Sequence, residues 1–268
     1  MTRLGRALIT GGAGVGLVRR ACESRAQSTV EPAQGLAASR ARPVVRAHAP
    51  PDGTAAAPGG TLVSRSYRGK YTIAARLLGG RRGTLLDVGA RDRRLEHYLR
   101  GSALAYRSAD RDDGHDHRVD LERRLPFGDG AFDVVVALDC LEHVDDIHAA
   151  LRELIRVSRC TTVVALPNLA VWHQRISFLV RGRLATDKYD LTPAAPPDRH
   201  RWLTVLPQTD ACVRANVPDQ THRLVRVVHE TAGGRVARVL AWLALQAGLP
   251  LSRALVTRSI YLIEAVRR

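Results

Sequence analysis

Phe132-Asp133-Val134-Val135-Val136-Ala137-Leu138, followed by Ile147, Ala150, Leu151, Leu154 and Ile155, decides the fold class of this chain. The first run is short, almost wholly apolar and rich in β-branched residues, as in a strand covered on both faces. The second set recurs at i, i+3, i+4, i+7 and i+8, which is one face of an α-helix. Asp145 and Asp146 read as its first turn, and Arg156 and Arg159 as its last, each opposing the helix dipole favourably. Residues 161–166 then read as another buried strand. A strand, helix and strand in this order form a parallel sheet with crossover helices.

The same alternation continues outward. Upstream, residues 84–89 read as a buried strand, residues 92–100 as a short helix carrying Leu95, Tyr98 and Leu99, and residues 105–110 as a second strand. Residues 117–121 are a short third one. Downstream, residues 224–229 read as a strand, Val236, Val239, Leu240 and Leu243 mark an amphipathic helix, and residues 259–266 a last strand. The expected fold is α/β and Rossmann-like, with about seven mostly parallel strands, helices on both faces and one antiparallel edge. It occupies residues 63–268. Residues 1–62 are rich in Ala, Arg, Gly and Pro and poor in acids, which predicts a disordered basic tail. A glycine-rich run at residues 10–16 imitates a dinucleotide loop. No second strand or acidic residue follows at the spacing such a loop needs, so no nucleotide is expected there.

The chain has 268 residues and a net charge of +15. Its only lysines are Lys70 and Lys188, so the charge is almost all arginine. Aromatic residues are 4% of the chain, too few to interleave with the arginines as base-stacking platforms. We therefore expect a small-molecule partner rather than nucleic acid. No apolar run reaches the roughly eighteen residues that span a bilayer. Cys22, Cys140, Cys160 and Cys212 form no metal-ligand spacing. The expectation is a cytoplasmic protein without a metal.

Three carboxylates fall at strand ends, where open parallel sheets bind ligands. They are Asp87, just before Gly89, Asp110 and Asp120. A nucleoside with a charged amino-acid arm needs such a set: one carboxylate for the ammonium, one for the ribose diol, one for the adenine amino group. A glycine after the first strand lets backbone approach the ligand.

These residues carry a resemblance. Leu85-Leu86-Asp87-Val88-Gly89 resembles the first motif of class I S-adenosylmethionine-dependent methyltransferases. Residues 120–135 are similar to that family's adenine loop and fourth strand. Residues 137–144, Ala-Leu-Asp-Cys-Leu-Glu-His-Val, resemble its fourth motif in the branch of quinone-biosynthesis enzymes. Leu166-Pro167-Asn168, with Trp172 and Arg181-Gly182-Arg183, is similar to the methionine-biosynthesis-W-like branch. The resemblance implies S-adenosylmethionine as cofactor. Asp87, Gly89 and the backbone of Ala90 would hold the methionine arm, and Asp110 the ribose. Asp120 and Leu121 would flank the adenine, and Asp139 would line the pocket near the sulfonium. It implies methyl transfer to a small-molecule, lipid or glycan acceptor, through oxygen. A catalytically inactive protein of the same fold and an RNA methyltransferase are the alternatives.

The chain departs from the family at Arg91 and Arg93, where the motif has glycines. Either the loop differs, or the two side chains point away and the backbone still fits. Two further segments have open readings. His143 is a candidate general base for an acceptor hydroxyl, since imidazole titrates near neutrality, or else it packs at a helix start. Residues 198–202, Asp-Arg-His-Arg-Trp, are a lid over the acceptor site or a basic loop anchored by Trp202.

Overall fold

A computed structural model describes residues 61–63, 69–191, 198–231, 239, 240, 243, 247 and 252–266. The first sixty residues, which include the glycine-rich run and most of the expected tail, lie outside these. So does most of the helix expected around Val236.

The described elements run β1 (Thr61–Val63), α1 (Gly69–Leu78), β2 (Arg82–Val88), α2 (Arg94–Tyr98), β3 (Ala103–Asp110), β4 (His117–Arg118), β5 (Phe132–Leu138), α3 (Ile147–Val157), β6 (Ser158–Pro167), α4 (Trp172–Arg181), α5 (Leu206–Asn216), β7 (His222–Thr231), α6 (Ser252–Leu255) and β8 (Val256–Ala265). Short 3₁₀ turns occupy Leu141–His143 and Asp187–Tyr189. The strands form one sheet of eight in the order β1-β7-β8-β6-β5-β2-β3-β4. β8 is antiparallel to both β6 and β7, and the other pairs are parallel. This is the expected Rossmann-like sheet, except that its antiparallel strand, β8, lies between β7 and β6 and not at an edge, and β1 is a further edge strand beside β7. No helix among the described residues is long and apolar enough to cross a membrane.

Period-two alternation sends each strand's residues to two separate cores. Leu86, Val88, Val135 and Ala137 pack with Leu151 and Leu154 of α3 and Val213 of α5. Leu85, Val134, Val136 and Leu138 pack on the other face with Ile73 and Leu77 of α1 and Leu95 of α2. Each fully buried leucine contributes roughly 1.5–3 kcal/mol, and both faces are needed because β5 is buried along its whole length.

Two details of the central helix differ from the sequence expectation. α3 starts at Ile147, and Asp146 is its N-cap, its carboxylate accepting the Ala149 N–H at 2.9 Å. The chain passes straight from α3 into β6 at Ser158, so Arg159 lies in the strand, where its guanidinium pairs with Asp133. A capping carboxylate satisfies an orphan N–H that a first-turn acid would only face.

The chain leaves β2 toward β3 and β4 on one side, and returns to β5 and β6 on the other. The reversal falls between β2 and β5, and the crevice beyond their carboxyl ends is where this architecture binds ligands.

Candidate functional site

The crevice opens at Gly89, which follows β2 with φ +72°. A Cβ at Gly89 would lie 2.7 Å from the Cys140 Cβ, so no other residue fits where these two strand ends meet. The Gly89 and Ala90 N–H groups both donate to the Ala109 carbonyl at the end of β3, at 2.9 and 3.3 Å. The Ala90 carbonyl accepts the Arg93 N–H. The backbone of Ala90 is thus engaged within the loop, and shapes it. Asp87 lies just beneath, buried, with its carboxylate accepting the Tyr106 hydroxyl at 2.7 Å. Burial raises its pKa to about 7, against the opposing effects of the Tyr106 hydrogen bond and the Lys70 ammonium.

Asp110 closes β3. Its carboxylate accepts the Arg91 N–H at 2.8 Å and the Arg111 N–H at 2.7 Å, one on each oxygen. Asp120 follows β4. It accepts the Glu122 N–H and an Arg111 guanidinium N–H at 2.9 Å. Burial acts to raise its pKa, but the Glu122 N–H and Arg111 outweigh it and hold Asp120 below the usual carboxylate range. Leu121 is partly buried against the core beside it.

The two arginines of the loop take the backbone conformation of the glycines they replace. Arg91 has φ +49° and Arg93 φ +54°, both left-handed. Each such residue costs of order 1 kcal/mol. Their side chains leave the loop. Arg91 pairs with Asp198 at 2.7 Å. Arg93 turns outward to Glu96 and Asp116, with its guanidinium over the Tyr106 ring. Of the two alternatives left open by the sequence, the side chains point away and the glycine-like backbone is kept.

Across the crevice, Asp139 follows β5, also left-handed at φ +57°. Its carboxylate is clamped by Lys70 at 3.1 Å and Arg258 at 2.8 Å, from α1 and β8. Arg258 also pairs with Glu230. Glu142 comes next on this wall and is only 1% exposed, with its Oε2 lacking a hydrogen-bond partner. Burial and then the Asp139 charge push its pKa to about 8. His143 Nδ1 lies 3.0 Å from the Arg199 carbonyl. A carbonyl only accepts, so Nδ1 carries the proton and the Nε2 lone pair is free. Burial lowers the His143 pKa.

Residues 198–202 are docked against this corner. The Arg201 N–H donates to the Glu142 carbonyl at 2.8 Å, and the Trp202 indole N–H to the Val144 carbonyl at 2.8 Å. Asp198 holds Lys188 as well as Arg91. Trp202 does anchor the segment, and the Arg91 bridge ties it to the first loop across the crevice. One donor atom each from Glu142, His143 and His200 lie within 4.8 Å of one another, a set that could hold a cation. Glu142 and His143 are neighbours in sequence, and the fold brings His200 to them.

Residues 101–165 match the family model described as a methyltransferase domain. This stretch of the chain is similar to a methyltransferase domain. The match spans β3 through β6, which carry Asp110, Asp120, Asp139 and His143. The chain is also 31% identical over 96 residues to norajmaline N-methyltransferase of Rauvolfia serpentina, covering 32% of this chain and 32% of that protein. It therefore spans about a third of that relative's length. Among solved structures, a SAM-dependent methyltransferase from Archaeoglobus fulgidus is 13% identical at a TM-score of 0.48, covering 75% of this chain and 96% of that one. The YcgJ protein of Bacillus subtilis is 14% identical at 0.46, covering 74% and 98%.

The residues present fit S-adenosylmethionine as a cofactor. Gly89 supplies a left-handed turn without a side chain at the end of β2, Asp110 offers a partly exposed carboxylate, and Asp87 is a buried acid whose pKa burial raises. The Asp87 pKa has a measurable consequence. An ammonium beside it favours the ionised form, so binding below pH 7 must release a proton. Affinity for S-adenosylmethionine should rise up to about tenfold per unit between pH 5.5 and 7 and level off above. Calorimetry across that range checks it; a flat profile would contradict this role for Asp87.

Sequence reading missed Tyr106, Lys70 and Arg258, and singled out Asp198 and His200 only as part of the segment 198–202. One signal was present: in an arginine-rich chain the two lysines stand out, and both sit here, Lys70 on Asp139 and Lys188 on Asp198.

Proposed function

We propose that this protein transfers a methyl group from S-adenosylmethionine to an oxygen of a small-molecule, lipid or glycan acceptor. The observation that carries the reading is the pairing of Asp110 and the loop of residues 89–93, left-handed at Gly89, Arg91 and Arg93, with a His143 whose Nδ1 faces the Arg199 carbonyl. The catalytic domain is assigned from Thr61, where β1 begins two residues before the expected boundary at 63, to residue 268, and residues 1–60 to a tail.

When bound, the cofactor supplies a methyl on a positively charged sulfur, which is already an activated leaving group. The protein's work is alignment, desolvation and handling of one proton. Asp110 would accept the ribose hydroxyls, Asp120 and Leu121 would flank the adenine, and Asp87 would meet the ammonium. Asp139, its charge offset by Lys70 and Arg258, would line the pocket near the sulfonium. His143 takes the acceptor hydroxyl's proton at Nε2, while Nδ1–H stays on the Arg199 carbonyl.

A second reading concerns the same corner. The unpartnered, buried Glu142 Oε2 beside His143 and His200 favours a divalent cation that would polarise the acceptor oxygen. One experiment separates the two. His143→Asn should lower the transfer rate by roughly 10²–10⁴-fold and leave S-adenosylmethionine affinity unchanged. If the base reading is right, His200→Ala changes the rate little and a chelator has no effect. If the cation reading is right, His200→Ala matches His143→Asn, and wild type but neither variant gains thermal stability with Zn²⁺ or Mn²⁺. A His143→Asn protein with full activity would sink both.

A further inference from the structure

We propose that α4 is a membrane-docking helix that seats this protein on an anionic lipid surface. The polarity of α4 is inverted. Its inward side holds Gln174 and Ser177, 7% and 8% exposed, each hydrogen bonded to backbone of the following loop: Gln174 accepts the Ala185 N–H and Ser177 donates to the Arg183 carbonyl. Its outward side holds Trp172, Ile176, Leu179 and Val180 at i, i+4, i+7 and i+8, one continuous stripe, with Leu179 85% and Val180 74% exposed. A globular helix places its apolar stripe inward, and one that faces water marks a partner surface.

The charges around the stripe select the partner. Arg175, Arg181 and Arg183 are exposed beside it, and no acidic residue occurs between Leu169 and Thr186. Two copies packed face to face on this stripe would bring arginine against arginine, since an isologous contact pairs like with like. A nucleic acid would meet the arginines and leave the apolar stripe uncovered. An anionic bilayer surface meets both, phosphates taking the guanidiniums while Trp172 and the aliphatic side chains enter the acyl boundary. The stripe is also linked to the site. The chain after α4 turns at Gly182, its left-handed C-cap, and reaches Tyr189, whose hydroxyl contacts His200 and the Trp202 carbonyl. On the proposed methyl-transfer reading, docking by α4 would favour a lipid acceptor.

The test is co-sedimentation of the full chain with vesicles of phosphatidylcholine alone and of phosphatidylcholine with phosphatidylglycerol at 3:1. We expect binding to the anionic vesicles, weakened by salt. Leu179→Asp should reduce it at least tenfold, and Arg181→Glu/Arg183→Glu by roughly 30-fold or more. All these side chains face water, so the thermal midpoint should not move. Absence of binding to anionic vesicles, or binding that neither variant changes, overturns the proposal. So does a concentration-dependent doubling of mass that Leu179→Asp abolishes, which would make the stripe a contact between copies. Sedimentation reads the membrane alone, so loss of the methyl-transfer reading would leave this result standing.

Discussion

Asp110→Ala lowers the affinity for S-adenosylmethionine by roughly 10²–10³-fold, the loss expected when two charge-assisted hydrogen bonds of about 1.5–2 kcal/mol each disappear. The expectation has two sources. On the proposed reading, the carboxylate at the end of β3 accepts both ribose hydroxyls. It also accepts the Arg91 and Arg111 N–H groups, so it holds Arg91 in the left-handed conformation that keeps the loop glycine-like. Asp110→Asn separates these contributions. It keeps an acceptor for one backbone N–H and loses the charge, so its affinity should fall between those of wild type and Asp110→Ala. Calorimetric titration of S-adenosylmethionine and S-adenosylhomocysteine into all three proteins checks this, with the thermal midpoint as the measure of folding. Equal affinities in wild type and Asp110→Ala would mean that the cofactor is held elsewhere in the crevice.

Arg81→Met destabilises the fold by about 3–5 kcal/mol, a cost set by what it leaves behind. Arg81 precedes β2 at the end of the sheet opposite the site. Its guanidinium is buried and meets the Glu264 carboxylate and the Thr161 hydroxyl, which ties β2 to β6 and β8. Without the guanidinium, Glu264 remains 2% exposed with no countercharge on this contact. Glu264 then either takes up a proton or draws water into the sheet, and both destabilise. Arg81→Met/Glu264→Met should recover much of the loss, because two apolar side chains can occupy a buried site that one unpaired charge cannot. Urea unfolding of the single and double variants decides. A single variant within about 0.5 kcal/mol of wild type would show that the pair is solvated in solution.

The fold was legible because it rests on local patterns. An unbroken apolar run such as Val134–Leu138 has one stable place, inside a sheet covered on both faces. The spacing of Ile147, Ala150, Leu151 and Leu154 has one stable partner, the strand it follows. The carboxylates at strand ends were legible for the same reason, since strand boundaries follow from pattern and the ligand crevice follows from strand order. The limits of local reading show at Arg159, which belongs to β6 because the strand, and not the helix, continues through it.

What the sequence by itself determined about this protein is therefore the alternation of elements, the sheet they form and the carboxylates at its ligand-binding edge. Tertiary structure alone decided the rest. Whether Arg91 and Arg93 block the cofactor loop depended on their φ angles and on the distant Asp198 and Asp116 that draw their side chains away. The neighbours of Asp139 come from Lys70 and Arg258, and those of His143 from Arg199 and His200. The outward face of α4 could not be read from its period, because an amphipathic stripe has the same spacing whether it meets a core or a solvent. Spacing along a chain fixes which residues share a face; only packing against the other elements fixes where that face points, and which charges meet across it.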